Sequence, residues 1–217
     1  MADLVVAGAS QLEVPLGGSQ VERLVAYVRL MERWNTTYNL TAIRDPRAMV
    51  VQHVLDCVAA VAALDRKRGT GRGERVVDVG SGAGLPGLVI AMTSPNRLVT
   101  CVDSVGKKAA FMRQASATLG LKNVTVLHAR VEDVSGQFDV VASRAFSSLS
   151  TLVATTRHLL GDCGIWMAMK GKAPEPEFAE LERDVSFHVE PLVVPQLNAE
   201  RCIVWLERAA TASARLS

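Results

Sequence analysis

The stretch Arg75–Ala91, RVVDVGSGAGLPGLVIA, decides how the rest of the chain is read. Its first five residues are β-rich, and a crowd of glycines follows before an apolar run that suits a helix. Gly82, Gly84 and Gly87 satisfy G-x-G-x-x-G, which in a strand-turn-helix setting marks a dinucleotide loop with a pyrophosphate on the helix N-terminus. The same loop carries an earlier glycine, Gly80, and an acid, Asp78, at the end of the strand. A carboxylate there would repel phosphates and attract a cationic group, so the acid points to a different ligand.

Working outward, short β-rich runs alternate with helical ones. RVVDV, RLVTCVD, VTVLHA, FDVVAS and GIWMAMK are separated by LPGLVIAMT, KKAAFMRQASATLG and SLSTLVATTRHLLG, and EFAELERDV continues the helical series. Such alternation predicts a mostly parallel sheet with helices on both faces. VEPLVVP and RCIVWLE, with only a turn between them, predict a hairpin at one edge that makes a seven-stranded sheet mixed. Upstream the period is helical. Ser19 and Glu22 have capping-box spacing, and Val21, Leu24, Val25, Val28, Met31 and Trp34 trace one apolar face. Asp45 and Pro46 open a second helix as cap and first residue. The expected division is a helical N-terminal extension over 1–70, an α/β domain over 71–208 and a frayed tail over 209–217.

With 217 residues, 49% of them apolar, the chain can bury a sizeable core. Cys57, Cys101, Cys163 and Cys202 are far apart, which suggests neither a zinc site nor a disulfide framework, and no metal is expected. The N-terminus has no basic region before its short apolar run, and no uninterrupted apolar segment reads as long enough to span a bilayer, so a cytoplasmic protein without membrane contact is expected. A net charge of +2 does not by itself announce nucleic acid. Arg66, Lys67, Arg68, Arg72 and Arg75 crowd one linker, which on charge alone reads as a solvated connection.

In an open α/β sheet the ligand lies beyond the carboxyl ends of the strands. Those ends are Asp78 to Gly84, Asp103, Val131–Glu132–Asp133, Arg144 in SRAF and Lys170 in MKGK. Asp103 can accept from both hydroxyls of a ribose, and so far NAD and S-adenosylmethionine (SAM) fit alike. Asp78, the acids after the third strand and Pro86, which leaves the helix start one N–H poorer, favour SAM.

These motifs together, DVGSGAGLPGLVIA, VDSVGKKAAFMRQ, ARVED, SRAF and MKGK, with WNTTYNLTAI and HVLDC upstream, resemble the bacterial small-subunit ribosomal RNA 7-methylguanosine methyltransferases, also called glucose-inhibited division protein B. The resemblance runs from about Leu24 to about Trp205. It implies a Rossmann-like class I SAM-dependent methyltransferase fold and transfer of a methyl group to N7 of one guanine of 16S rRNA near the streptomycin site of the decoding region. The partner is then 16S rRNA or the small ribosomal subunit; separately, a monomer is expected. Carried over by position, Gly80, Leu85, Asp103, Val131, Glu132 and Arg144 would hold the cofactor, beside Asp78, Gly82 and Gly84 of the loop. Asn39, His53, Asp56, Arg144 and Lys170 match the motif residues around the pocket. Cys57 stands where many members have Ser, a loss of one hydroxyl.

Guanine N7 carries a lone pair and no proton, so positioning is the main task. Asp56, held by His53 on the same helix face, is the candidate to stabilise the purine's new positive charge. Arg144 and Lys170 are expected at guanine O6 or a flanking phosphate. Trp34 and Tyr38 are expected to pack in the helical region rather than stack on a base, and the basic linker to grip RNA backbone. The rival readings are an NAD-dependent oxidoreductase, a non-catalytic RNA- or SAM-binding module, and methylation of a protein or small molecule. The first lacks a suitable strand-end His; the last is disfavoured by the upstream motifs.

Overall fold

A computed structural model describes residues 1–209; past Ala209 the tail expected over 209–217 lies outside the described residues. Seven strands form one sheet: β1 (Arg75–Val79), β2 (Leu98–Asp103), β3 (Val124–His128), β4 (Phe138–Arg144), β5 (Leu160–Lys170), β6 (Val185–Leu192) and β7 (Arg201–Arg208), in the order β3-β2-β1-β4-β5-β7-β6. The first five are parallel. β7 is antiparallel to both neighbours, so the terminal hairpin does not simply add at the edge: its second strand inserts between β5 and β6. The chain runs outward from β1 to β3 and returns to β4 on the other side. That reversal between β1 and β4 is the switch point where such sheets bind ligands.

Alternating strand residues feed two cores. Val76, Val140, Ala142, Met167 and Trp205 face one side, and Val77, Val141, Trp166, Ala168 and Val204 the other. The first core also takes in Leu24, Val28, Val54, Leu55 and Val58 from the N-terminal helices. Sheet and helical region therefore share one apolar interior. The helices are α1 (Ala2–Gln11), α2 (Gly18–Tyr38), α3 (Pro46–Met49), α4 (Asp56–Arg68), α5 (Gly87–Thr93), α6 (Gly106–Thr118), α7 (Leu149–Thr156) and α8 (Glu175–Phe178).

Several expectations are corrected. The start of α2 is capped not by Ser19 and Glu22 but two residues earlier, where the Gly17 N–H donates to Gln20 Oε1 at 2.8 Å. The predicted final helix shrinks to the single turn of α8, with prolines at 174 and 176 and no periodic apolar face to extend it. The helix over Pro46–Arg68 is, by length and composition, apolar enough to cross a membrane, against the expectation that no segment is. Its apolar window is 78% buried, because it runs through the core between the other helices and the sheet. Asp45 does cap it, accepting from the Ala48 N–H at 2.7 Å.

The basic linker is a structural joint. Arg66 pairs with Glu190, Lys67 with Glu207 and Arg68 with Glu74, while the Arg75 guanidinium lies over the Phe138 ring. Fully buried Arg97 locks the same loop by donating to Glu74, Asp65 and the Gly69 carbonyl. The linker leads into the first residue of β1, so it sits at the amino edge of the sheet, opposite the strand ends that carry the site. The paired cations and their place away from those strand ends favour a structural role over an RNA grip. Arg72, exposed and without an ion-pair partner among the described residues, tests this: Arg72→Glu should leave kcat/KM for methyl transfer within about twofold, as surface changes away from a site do. A severe loss would return the linker to the RNA path.

Candidate active site

The loop after β1 turns through left-handed backbone at Gly80, Gly82 and Gly84. At Gly84 a Cβ would lie 2.5 Å from the Leu88 side chain, whereas at Gly80 the nearest neighbour is the Phe146 ring, 3.8 Å away. The loop is thus tight on its helix side and open on its outer side. Asp78 is fully buried. Its Oδ2 accepts from the Gly87 N–H at 2.9 Å and pins the first turn of α5, while Oδ1 has no partner among the described residues. Burial pushes the Asp78 pKa up to about 7, against the pull of the Gly87 N–H.

Asp103, at the end of β2, accepts from the Gly82 N–H through Oδ2 and from the Val105 N–H through Oδ1, both at 2.8 Å. Each oxygen keeps a lone pair, and the carboxylate is fixed in orientation. Val131 and Glu132 lie on the 3₁₀ turn Val131–Asp133 past β3, and Leu85 is buried behind the loop. An open glycine trough, a clamped carboxylate beside it and an orphaned acid at its base fit SAM, for which Asp103 could hold the ribose, Val131 and Glu132 the adenine, and Asp78 the cationic end.

Because the native Asp78 pKa stands above its ordinary 3.8, the folded state holds a proton that the unfolded state has released between about pH 4 and 7. Stability is therefore lost as pH rises through that window, by about 2–4 kcal/mol from this group. Asp78→Asn removes that slope, so the wild-type-minus-variant difference in melting temperature should fall from pH 4.5 to about 7 and level off above it. A pH-independent difference would place the Asp78 pKa in the ordinary range.

Beyond the cofactor loop a cleft of about 360 Å³ is lined by His53, Asp56, Arg144, Lys170 and Arg201 among others. Arg144, the last residue of β4, is its hub. Its guanidinium donates to His53 Nδ1 at 3.0 Å, and to Asp56 Oδ2 and the Gln52 carbonyl, both at 3.2 Å. Arg201, the first residue of β7, donates to Asp56 Oδ1 at 3.1 Å. An arginine only donates, so His53 Nδ1 is the acceptor and Nε2–H reaches Thr41 Oγ1 at 2.8 Å. Burial, with Arg144 alongside, lowers the His53 pKa to about 4, so the ring is neutral. Burial raises the Asp56 pKa, while Arg144 and Arg201 pull it back.

The expected His53–Asp56 contact is therefore corrected: Arg144 bridges the two. The cause is local. Val50–Leu55, between α3 and α4, is a π-helical turn, whose wider winding displaces side chains from the i, i+3 arrangement of an α-helix and presents the Gln52 carbonyl to Arg144. Lys170 joins the cleft, but Glu177 of α8 holds its ammonium with both oxygens at 2.9 Å and also accepts from the Leu149 N–H at the start of α7. Asn39 does not line the cleft. It ends α2 in a left-handed conformation, 3.4 Å from an Arg44 nitrogen. Trp34 packs on Phe111 and Tyr38 as expected, although Tyr38 stays 40% exposed. Arg201, Glu177 and Thr41 are additions. Only Thr41, inside the polar WNTTYNLTAI segment, carried a signal in the sequence. Buried Cys57 sits behind Asp56, and burial pushes its thiol pKa up.

The family described as rRNA small subunit methyltransferase G matches residues 20–204. The chain is 50% identical over 213 residues to ribosomal RNA small subunit methyltransferase G of Leptothrix cholodnii, covering 97% of each. It is 51% identical to the protein of the same name from Acidovorax ebreus, covering 94% of this chain and 93% of that one. Among solved structures, TrmN from Thermus thermophilus superposes with a TM-score of 0.56 at 20% identity, over 70% of this chain and 48% of that one. MtNAS in complex with MTA and tNA gives 0.57 at 16%, over 84% and 71%. These likenesses confirm the Rossmann-like methyltransferase fold. With a SAM-shaped loop at the switch point and relatives at half identity over nearly every residue, the chain belongs to the rRNA small subunit methyltransferase G family of SAM-dependent rRNA methyltransferases.

Proposed function

We propose that the enzyme methylates N7 of one guanine of 16S rRNA, near the streptomycin site of the decoding region, and that the cleft at Arg144 receives that guanine. One observation carries the choice of atom: none of the cleft's ionisable groups is free to act as a base. Both oxygens of Asp56 are engaged by arginines, the acceptor nitrogen of His53 is filled by Arg144, and Lys170 is cationic and paired. A hydroxyl or exocyclic amine would need a proton removed; a purine N7 does not. SAM, when bound, supplies an electrophilic methyl on sulfur.

The chain's residues hold and orient. Asp103 fixes the ribose end of the cofactor, and the glycine loop admits its backbone-close portion. Arg144, clamped by three acceptors, presents its remaining N–H groups to guanine O6, leaving N7 clear. Asp56 acts as a positioning residue for Arg144 and Arg201, and its charge tempers two cations that face a purine becoming positive. Lys170 contacts a flanking phosphate after exchanging Glu177 for it. The division at residue 70 is functional on this reading: segment 1–70 supplies His53 and Asp56 to the base side, and segment 71–208 the cofactor loop. A ribosomal substrate implies work in the cytoplasm.

The test is transfer of labelled methyl from SAM into small ribosomal subunits from cells lacking the protein, followed by nucleoside mass analysis. Label in 7-methylguanosine at one position supports the reading. Label in another nucleoside, or none in RNA, sinks it.

A further inference from the structure

The guanine cleft is not closed on the side away from the cofactor. A second cleft of about 540 Å³ adjoins it, and the two share Gln52 and Arg201 as lining residues. Along the carboxyl edge of the sheet the cofactor loop follows β1, the guanine cleft lies over the ends of β4 and β5 and the start of β7, and the second cleft continues past β7. Its wall is the connection from β6 to β7, where Gln196 holds a positive φ of 63° and, with Asn198, lines the opening. Arg47 lines the cleft from α3, and Leu4 of α1 is part of its apolar lining.

We propose that this second cleft holds the nucleotide adjacent to the target guanine and reads its base through Gln196 and Asn198. The proposal rests on the guanine cleft being where the target base enters. Three observations support it. The volume is larger than that of the neighbouring cleft, which is assigned one base. The sharing of Gln52 and Arg201 makes the two sites consecutive, as neighbours on one strand require. The lining chemistry also suits a base: exposed amides offer a donor and an acceptor each, the pairing by which Asn and Gln recognise base edges. Arg47, exposed and in no ion pair among the described residues, supplies a cation for the connecting phosphate, a contact that positions without specifying. Half-buried Val51 and Leu197 give the base an apolar surface.

The experiment uses small subunits from cells lacking the enzyme, with either the natural nucleotide or a substituted one on each side of the methylated guanine. Wild-type protein and the Gln196→Ala/Asn198→Ala double variant are compared. The expected result is a KM for subunits raised about tenfold in the variant, with kcat within twofold and SAM affinity unchanged. Substitutions on one side of the guanine should raise KM for the wild type and cease to matter for the variant. An unchanged KM overturns the proposal. So does a raised KM that is indifferent to the flanking bases, which would assign the cleft to a ribosomal protein or to backbone alone. Failure of the wild type to methylate natural subunits would instead bring down the reading of the guanine cleft, and that control is read first.

Discussion

Arg144→Ala is expected to lower kcat/KM for methyl transfer by about 10³-fold, at the upper end of what removal of one preorganised donor costs. The side chain holds three acceptors from the π-helical turn and α4 while it ends the strand beside the cofactor loop, so its loss removes both the proposed contact to the base and the clamp that joins the cleft's walls. The fold should survive. Asp56 keeps Arg201 as a partner, so destabilisation should stay near 2 kcal/mol rather than reach the cost of an abandoned buried charge. Lys at the same position restores charge without the planar fork and should recover only a small part of the activity. Kinetics on small subunits with thermal melts alongside checks this, and full activity in the alanine variant would take Arg144 out of the site.

Asp103→Ala should weaken SAM binding about 100-fold, roughly two charge-assisted hydrogen bonds to a ribose. The variant also releases the Gly82 and Val105 N–H groups, which loosens the glycine loop itself. Calorimetric titration of SAM reads the effect, with affinity for small subunits as the control that should not move. Undiminished SAM affinity would put the ribose elsewhere. Asp103→Asn separates the two contributions, since its amide oxygen can keep one of the backbone contacts while the negative charge is gone.

Much of the fold was legible because the central strands are buried on both faces and read as apolar runs closed by glycine, acid or cation at their carboxyl ends. Asp78, Asp103, Arg144 and Lys170 were visible for that reason: strand ends can be counted in a sequence. What escaped depends on distant partners. Arg66 and Lys67 looked free because Glu190 and Glu207 lie on strands formed more than a hundred residues later. His53 and Asp56 carried helical spacing, but the π-helical turn, which no residue pattern announced, gave both to Arg144. Asn39 matched a motif yet closes the end of α2 outside the cleft. Glu177 sits in a segment read as a longer helix, where a single acid had nothing to distinguish it.

The insertion of β7 between β5 and β6 also bears on the order of events during synthesis. Among the described residues β6 has no sheet partner except β7. When a nascent chain has emerged only as far as residue 200, five strands can assemble over the N-terminal helices, but the sixth has nothing to register against and Asp56 lacks one of its two cations. Domains fold as units once the required residues are available. The final strand to leave the ribosome therefore completes both the sheet and the cleft at one stroke, and a prematurely ended chain that stops before Arg201 carries a cofactor loop but no finished base pocket.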